Sequence, residues 1–110
     1  MPYNYFSMSK IIYSVTVKID QEVEEDWFQW MREVHIPDVM ATGYFLENRW
    51  SRIIGEEDTG TSYNIQYLCA SMKDLHKYQV NSAPELQKEH TERYKGNFVA
   101  FRTLLETIDT

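Results

Sequence analysis

The segment of residues 27–45 constrains the fold most, because it contains a helix, the signals that end the helix and the entry into a strand. Its sequence is WFQWMREVHIPDVMATGYF. Pro37 disfavours a helical conformation for the residue before it, so we expect the helix to end near His35. Gly43 then suits a turn into the next strand. The apolar stripe of this helix comprises Val23, Trp27, Trp30, Met31 and Val34.

Three stretches are predicted to be strands before the second helical region. Residues 11–19 and 61–69 alternate apolar and polar side chains, and residues 44–54 do so less regularly. Only a short turn, residues 55–60, separates the last two stretches, which favours an antiparallel hairpin. The core face is predicted to carry Ile11, Tyr13, Val15, Val17, Ile19, Tyr63, Ile65, Tyr67 and Cys69.

The second helical region has its own start and stop signals. Ser71 with Asp74 resembles a capping box in which aspartate replaces the usual glutamate, and Asp20 is a candidate cap for the first helix. Pro84 suits the first turn of a restarted helix, and Gly96 suits its end. Residues 97–108 form the last predicted strand. The inward positions of these helices are predicted to be Leu75, Tyr78, Leu86, His90 and Tyr94.

The resulting order, βαββαβ, defines an α+β ferredoxin-like fold, with a four-stranded antiparallel sheet and two helices on one face. We expect residues 1–9 to be a flexible lead-in, with Met8 as an alternative start, and residues 10–110 to form one domain. The uncovered face of the sheet must meet water or a partner. One interpretation is a dimer in which two sheets pack face to face and enclose a barrel.

Charge and cysteine content exclude several classes of function. The net charge of −6 disfavours binding to nucleic acids and to anionic membranes. No apolar run reaches the length of a membrane span, and the first residues lack the pattern of a signal peptide. The single cysteine, Cys69, is predicted to be buried and inert. We therefore expect a cytoplasmic protein.

A ligand cavity is predicted on the polar face of the sheet. The aromatic content of 15% is high for so small a core, which suggests that some rings line a pocket or an interface. The alternative is a polar face that simply meets solvent. The predicted ligand-binding residues are Ser14, Thr16, Trp50, Asn64, Gln66 and, from the second helix, His90.

His35 and Asp38 are the best catalytic candidates. Histidine exchanges protons near neutral pH, and a nearby carboxylate can fix its tautomer and raise its basicity. The alternative is structural, with His35 at the helix C-terminus and Asp38 opening a turn. His90 has a similar alternative as a packing residue, and His76 is expected to point outward.

Metal and cofactor sites are not predicted. No His-x-x-x-His pair lies on one helix and no cysteine cluster is present, so we expect neither a metal nor a cofactor. The acidic turn with Glu56, Glu57 and Asp58 lacks the spacing of a calcium loop. For Arg49, Arg52 and Arg102 on the strands, pairing with nearby acids is favoured over binding of an anionic ligand.

The sequence resembles a family of small bacterial proteins of unknown function. The resemblance covers essentially residues 10–108. It rests on three sets of residues: Trp27, Trp30, Met31, His35, Ile36, Pro37, Asp38, Met40, Gly43 and Phe45; then Tyr78, Leu86, Glu89, His90, Thr91, Glu92 and Arg93; then Phe98, Phe101, Arg102 and Thr103.

That family is placed in the dimeric α/β-barrel superfamily, so the resemblance implies a ferredoxin-like subunit and a homodimer built sheet to sheet. Some enzymes of the superfamily place a histidine near the end of the first helix, but the family itself implies no activity. Two functions remain open. One is a homodimer that binds a small apolar or aromatic molecule, with cofactor-independent acid–base chemistry at His35 and Asp38. The other is a non-catalytic module for dimerisation or protein interaction.

A weaker alternative is a haem-binding or monooxygenase-type enzyme. The superfamily resemblance implies an asparagine, a tryptophan and a histidine for haem breakdown. Asn64, Trp50 and His90 supply these residue types without a match of positions.

Overall fold

The predicted order of strands and helices is confirmed in a computed structural model that describes residues 9–55 and 59–108. Each of the two helical regions is divided into segments. The elements are β1 Ile11–Asp20, α1 Gln21–Trp30, a π-helical turn Met31–His35, α2 Ile36–Ala41, β2 Phe45–Arg52, β3 Gly60–Cys69, α3 Met72–Asn81, α4 Ala83–Tyr94 and β4 Phe98–Glu106.

The four strands form one antiparallel sheet in the order β2-β3-β1-β4. The hairpin of β2 with β3 is confirmed, with Trp50 opposite Ile65. β1 lies at the centre, where Val15 is opposite both Ile65 on β3 and Arg102 on β4. β3 is the other central strand, and it has the clearest alternation, with Tyr63, Ile65, Tyr67 and Cys69 buried and the residues between them half-buried.

The hydrophobic core lies between the sheet and the helices. The helices cover one face, and the predicted inward residues of β1 and β3 are buried there, apart from the half-buried Val15. Trp27 and Met31 from the first helical region are buried, and so are the five predicted inward residues of α3 and α4. The α+β ferredoxin-like fold is therefore confirmed.

The first helical region does not end at His35, so that prediction is wrong. The backbone N–H of Ile36 bonds to the carbonyl of Met31, five residues earlier, which is the spacing of a π-helix. α2 then continues to Ala41, with Pro37 in its first turn. Proline is tolerated there because the π-helical turn already interrupts the regular α-helical hydrogen bonds before it. Gly43, with a φ of 83°, follows the actual end.

The π-helical turn also changes which side chains face the core. Buried positions run from Trp27 to Met31 and then, after one extra residue, to Ile36 and Val39. Val34 is 39% exposed, so its predicted place on the apolar stripe is wrong. The physical reason is that the wider turn rotates every later residue relative to an α-helix.

The caps of the helices agree only in part with the sequence. The Ser71 hydroxyl accepts a hydrogen bond from the backbone N–H of Asp74 at 3.2 Å, as predicted. Asp20 stands at the N-cap position of α1 but makes no side-chain cap, and its carboxylate instead accepts a bond from the Asn97 amide at 3.3 Å. Gly96 ends the second region with a φ of 83°.

Cys69 is buried, as predicted. Its thiol lies 3.4 Å from the Tyr44 carbonyl oxygen, and burial raises its pKa. None of the helices in the described ranges is both long and apolar enough for a membrane span. Most of the expected lead-in, residues 1–8, and the acidic residues 56–58 lie outside the described residues.

Candidate functional site

The predicted site residues divide between the two faces of the sheet. Ser14, Thr16, Asn64 and Gln66 lie on the open face, where Ser14 is opposite Gln66 and Thr16 is opposite Asn64. The Asn64 amide donates hydrogen bonds to the Ser14 hydroxyl at 2.8 Å and to the Thr16 hydroxyl at 3.2 Å. These three side chains therefore bind one another across the strands.

Trp50 lies on the other face, so its predicted place beside these polar residues is wrong. Its ring packs under α1, with centroids 4.5 Å from Phe28 and 6.0 Å from Trp27. The reason is the register of β2, which places Trp50 opposite the buried Ile65. The indole nitrogen of Trp50 is buried without a hydrogen-bond partner among the described residues.

A cavity of about 170 Å³ lies between the helices and the sheet. It contains both histidines that the sequence analysis singled out for function, His35 and His90. The remaining lining residues are aromatic (Tyr13, Tyr67, Tyr78 and Phe98), aliphatic or thioether (Val15, Met31, Val39, Leu86 and Ala100) and polar (Gln87, Thr91 and Arg102). The cavity thus combines apolar walls with a few polar groups, as ligand sites commonly do.

His35 reaches the cavity because the π-helical turn rotates it inward. Its ring stacks on Trp30, with the ring centroids 5.1 Å apart and the planes 27° apart. Its Nδ1 atom is buried and has no hydrogen-bond partner among the described residues. Burial lowers the pKa of His35 to about 4, against the opposing charge of Asp38, and the charge of Arg102 lowers it further. His35 is therefore neutral at pH 7.

Asp38 is exposed to solvent. Its carboxylate does not form a hydrogen bond with the buried Nδ1 atom of His35. Its influence on the histidine is through charge, since it favours the protonated imidazole. The ring of His35 also lies beside another histidine, since the ring centroids of His35 and His90 are 5.7 Å apart.

His90 is held in one tautomer by a buried hydrogen bond. The indole N–H of Trp27 donates to the Nε2 atom of His90 at 2.8 Å. Nε2 must then be unprotonated, so in the neutral ring Nδ1 carries the proton. Burial first, then the charges of His35 and Arg102, lower the pKa of His90 to about 4. At pH 7 this residue is a neutral hydrogen-bond donor at the cavity.

Arg102 and Tyr13 are polar groups of the cavity that the sequence analysis did not assign to the site. The Nε atom of Arg102 donates to the Tyr13 hydroxyl at 2.9 Å, and the Gln87 amide lies 3.4 Å from the same oxygen. The predicted pairing of Arg102 with an acid is wrong within the described residues, where its partner is this tyrosine. Phe98, Ala100 and Arg102 are every second residue of β4, so they lie on the same face of the strand. This spacing was the signal in the sequence that could have assigned Arg102 to the cavity.

A second cavity, of about 370 Å³, shares Tyr13, Gln87 and Arg102 with the first. Arg102 therefore stands where the two cavities meet.

Arg52, in contrast, lies over the Tyr63 ring, with its guanidinium carbon 5.6 Å from the ring centroid.

The residue sets for haem or metal chemistry do not come together. Asn64 lies on the open face of the sheet, whereas Trp50 and His90 lie on the helix side. Across residues 9–55 and 59–108, no group of three or more histidines, cysteines and acids lies close enough to hold a metal ion.

The comparisons with known proteins agree with this architecture. A family profile for a domain of unknown function, DUF4286, matches residues 10–108, which is nearly the whole chain. The chain belongs to that family. The resemblance found in the sequence is thereby confirmed. No curated protein matches the sequence.

Solved structures show the same fold at low sequence identity. A dimeric ferredoxin-like protein from an uncultured marine organism is 15% identical with a TM-score of 0.70, covering 92% of this chain and 96% of that one. A variant of SnoaB, a cofactor-independent oxygenase from Streptomyces nogalater, is 10% identical with a TM-score of 0.64, covering 92% and 95%. An ethyl tert-butyl ether D family protein from Bacillus halodurans is 12% identical with a TM-score of 0.61, covering 90% and 99%. These likenesses support the fold and leave function to the site.

Proposed function

We propose that the protein binds a small, apolar or aromatic molecule in the cavity between helices and sheet, and that His35 performs cofactor-independent acid–base chemistry on it. The observation that carries the proposal is the lining of the 170 Å³ cavity, where two neutral histidines and one arginine meet aromatic walls. Titratable groups with pKa values shifted by burial inside a cavity are typical of functional sites.

The size of the cavity limits the ligand. An engineered apolar cavity of about 150 Å³ binds benzene, so a cavity of 170 Å³ suits a molecule with one six-membered ring. Tyr67, Tyr78 and Phe98 offer ring faces and edges for such a molecule.

The chemistry follows from the states of the two histidines. Neutral His35 accepts a proton from an acidic C–H or O–H of the ligand, and the electron pair of the broken bond stays on the ligand. The Nδ1–H group of His90 and the charge of Arg102 stabilise the negative charge that develops there. Asp38 assists from a distance, since its carboxylate favours the imidazolium that forms on His35.

A homodimer built through the open faces of two sheets belongs to this proposal. Val99, Phe101 and Leu105 lie on that face of β4 with exposures of 66%, 62% and 40%. A group of exposed apolar side chains is typical of an interface. In such a dimer Ser14, Thr16, Asn64 and Gln66 would line the space between the sheets. One solved structure with this fold is described as dimeric.

The dimer is tested by native mass spectrometry of the purified protein and of two matched variants. Phe101→Glu places a charge on the open face, and Val80→Glu places one on the equally exposed helix side. We expect twice the chain mass for the wild type and Val80→Glu, and one chain mass for Phe101→Glu. A monomeric wild type would contradict the dimer.

Ligand binding is tested by NMR titration with phenol, a one-ring probe that fits the cavity. We expect the ring signals of His35 and His90 to shift, while those of the exposed His76 stay in place. If neither phenol nor benzoate moves a signal from the cavity, the cavity is not a ligand site. A protein that is dimeric but indifferent to both probes would instead favour the interaction module.

Acid–base chemistry has a separate test, the exchange of the methyl protons of acetophenone for deuterium in D2O. We expect the wild type to accelerate the exchange, His35→Ala to lose the acceleration and His76→Ala to retain it. Exchange no faster than in buffer would remove the catalytic part of the proposal.

The cytoplasm remains the proposed location, because a single buried thiol suits a reducing compartment.

A further inference from the structure

We propose that the ligand of this cavity is a planar one-ring molecule with a single carboxylate, which Arg102 holds where the two cavities meet. The inference rests on the proposed function and names the class of molecule that the same site selects.

The charge of the cavity supports an anionic ligand. Neither of the two adjoining cavities has an aspartate or glutamate in its lining, and Arg102 is the one cationic residue that both contain. This contrasts with the chain as a whole, whose net charge is −6. A cavity that excludes acids in an acidic protein favours a negatively charged ligand over a cationic one.

The hydrogen bonds of Arg102 leave donors available for a carboxylate. Its Nε atom is used by the Tyr13 hydroxyl at 2.9 Å, which fixes the orientation of the guanidinium group. No described carboxylate lies within ion-pair distance of Arg102, and its terminal nitrogens have no hydrogen-bond partner among the described residues. A guanidinium group fixed at one nitrogen can offer two parallel N–H donors to a carboxylate.

A single carboxylate fits better than a phosphate ester with two charges. His35 and His90 are neutral at pH 7 because burial lowers their pKa values, so they add hydrogen-bonding capacity without positive charge. One arginine balances one negative charge. The ring of the ligand would then occupy the inner cavity against Tyr67 and Phe98.

The test compares benzoate with benzamide, which has nearly the same shape and no charge. Binding to the wild type is measured by isothermal titration at pH 7. We expect benzoate to bind at least about tenfold more tightly, because a hydrogen-bonded charge contributes more than a neutral group. Arg102→Gln should remove this preference, leaving benzamide binding unchanged. Arg102→Lys should keep part of it, since the charge remains and the planar fork is lost.

The matched control is Lys77→Gln, which removes one positive charge from an exposed position on α3 outside both cavities. It should leave both affinities unchanged, which separates a local contact from the effect of net charge. Equal affinities of the wild type for benzoate and benzamide would overturn the inference while leaving the proposed function standing. The same holds if Arg102→Gln weakens both probes equally. If benzoate, benzamide and phenol all fail to bind, the inference and the proposed function both fail.

Discussion

The two faces of the sheet have nearly the same backbone but very different surroundings. On the covered face, β1 and β3 present large side chains that the helices bury almost completely, such as Tyr63 at 2% exposure. On the open face, Asn64 bonds to Ser14 and Thr16 in the middle of the sheet, and Phe101 stays 62% exposed towards the edge. The difference teaches that the chain's own helices cover the apolar side chains of one face, whereas apolar side chains on β4 stay exposed on the other.

The functional groups follow the same division. His35, His90 and Arg102 border a cavity at the covered face, and burial there lowers the pKa values of the two histidines. On the open face, Ser14, Thr16 and Asn64 are already paired with one another. The covered face therefore keeps an unpaired hydrogen-bonding atom, Nδ1 of His35, at its cavity, and the open face keeps exposed apolar side chains on β4.

The two faces should differ most in how much the free energy of unfolding falls when an aromatic side chain is replaced by alanine. Trp27→Ala should lower the free energy of unfolding by about 3–5 kcal/mol, because Trp27 is fully buried and bonds to His90. Phe101→Ala should change it by less than about 0.5 kcal/mol in the isolated chain. Urea unfolding gives both values.

Contact between two copies would add to the effect of Phe101→Ala, so unfolding should be measured over a range of protein concentrations. A loss for Phe101→Ala as large as that for Trp27→Ala at every concentration would contradict the division into a covered and an open face.

The next contrast is the pH dependence of stability. His35 and His90 have pKa values of about 4 in the folded chain, against an ordinary 6.5. Between these values the unfolded chain binds more protons, so stability should fall as the pH drops from 6.5 to 4. The loss is on the order of 3 kcal/mol for each histidine. Asp38 opposes the shift of His35, whereas Arg102 increases both.

Thermal unfolding from pH 7 to pH 4 measures this slope. His90→Gln, which keeps an acceptor near Trp27, should make it shallower, while His76→Gln replaces an exposed histidine and should leave it unchanged. An unchanged slope in His90→Gln would show that the folded chain does not hold this histidine neutral.

The smallest effect is expected on the open face. Asn64→Ala should cost about 1 kcal/mol, since Ser14 and Thr16 both lose a donor. Gln66→Ala, on the same face of the same strand, removes no hydrogen bond to a described side chain and serves as the control. Equal costs in urea unfolding would mean that the Asn64 bonds add nothing to stability.

Much of the fold could be predicted because local rules and tertiary packing agree in this chain. The alternation in β1 and β3, the Ser71 cap and Gly96 each act through adjacent residues, and each was confirmed. Pro37 led to the wrong prediction of a helix end near His35. Proline within a regular helix destabilises it by about 3 kcal/mol, but in the first turn after a π-helical hydrogen bond the destabilisation is small. That one turn decides whether Val34 or His35 faces the core.

The site was less predictable than the fold. Trp50 was assigned to the wrong face because the irregular alternation of β2 left its register open, and pairing with β3 then settled it. The bond between Trp27 and His90 joins residues 63 positions apart, and that between Arg102 and Tyr13 joins residues 89 apart. No local pattern contains such pairs.

By itself, the sequence determined the order of elements, the α+β class, the inward residues of the central strands and the family to which the chain belongs. These depend on periodicity and on caps, which act within a few residues. Only the tertiary structure decided that the half-buried His35 and the buried His90 lie side by side, that Trp50 packs against the core and that Arg102 borders the cavity. Those features depend on helix rotation and strand register, which are set when distant segments pack together.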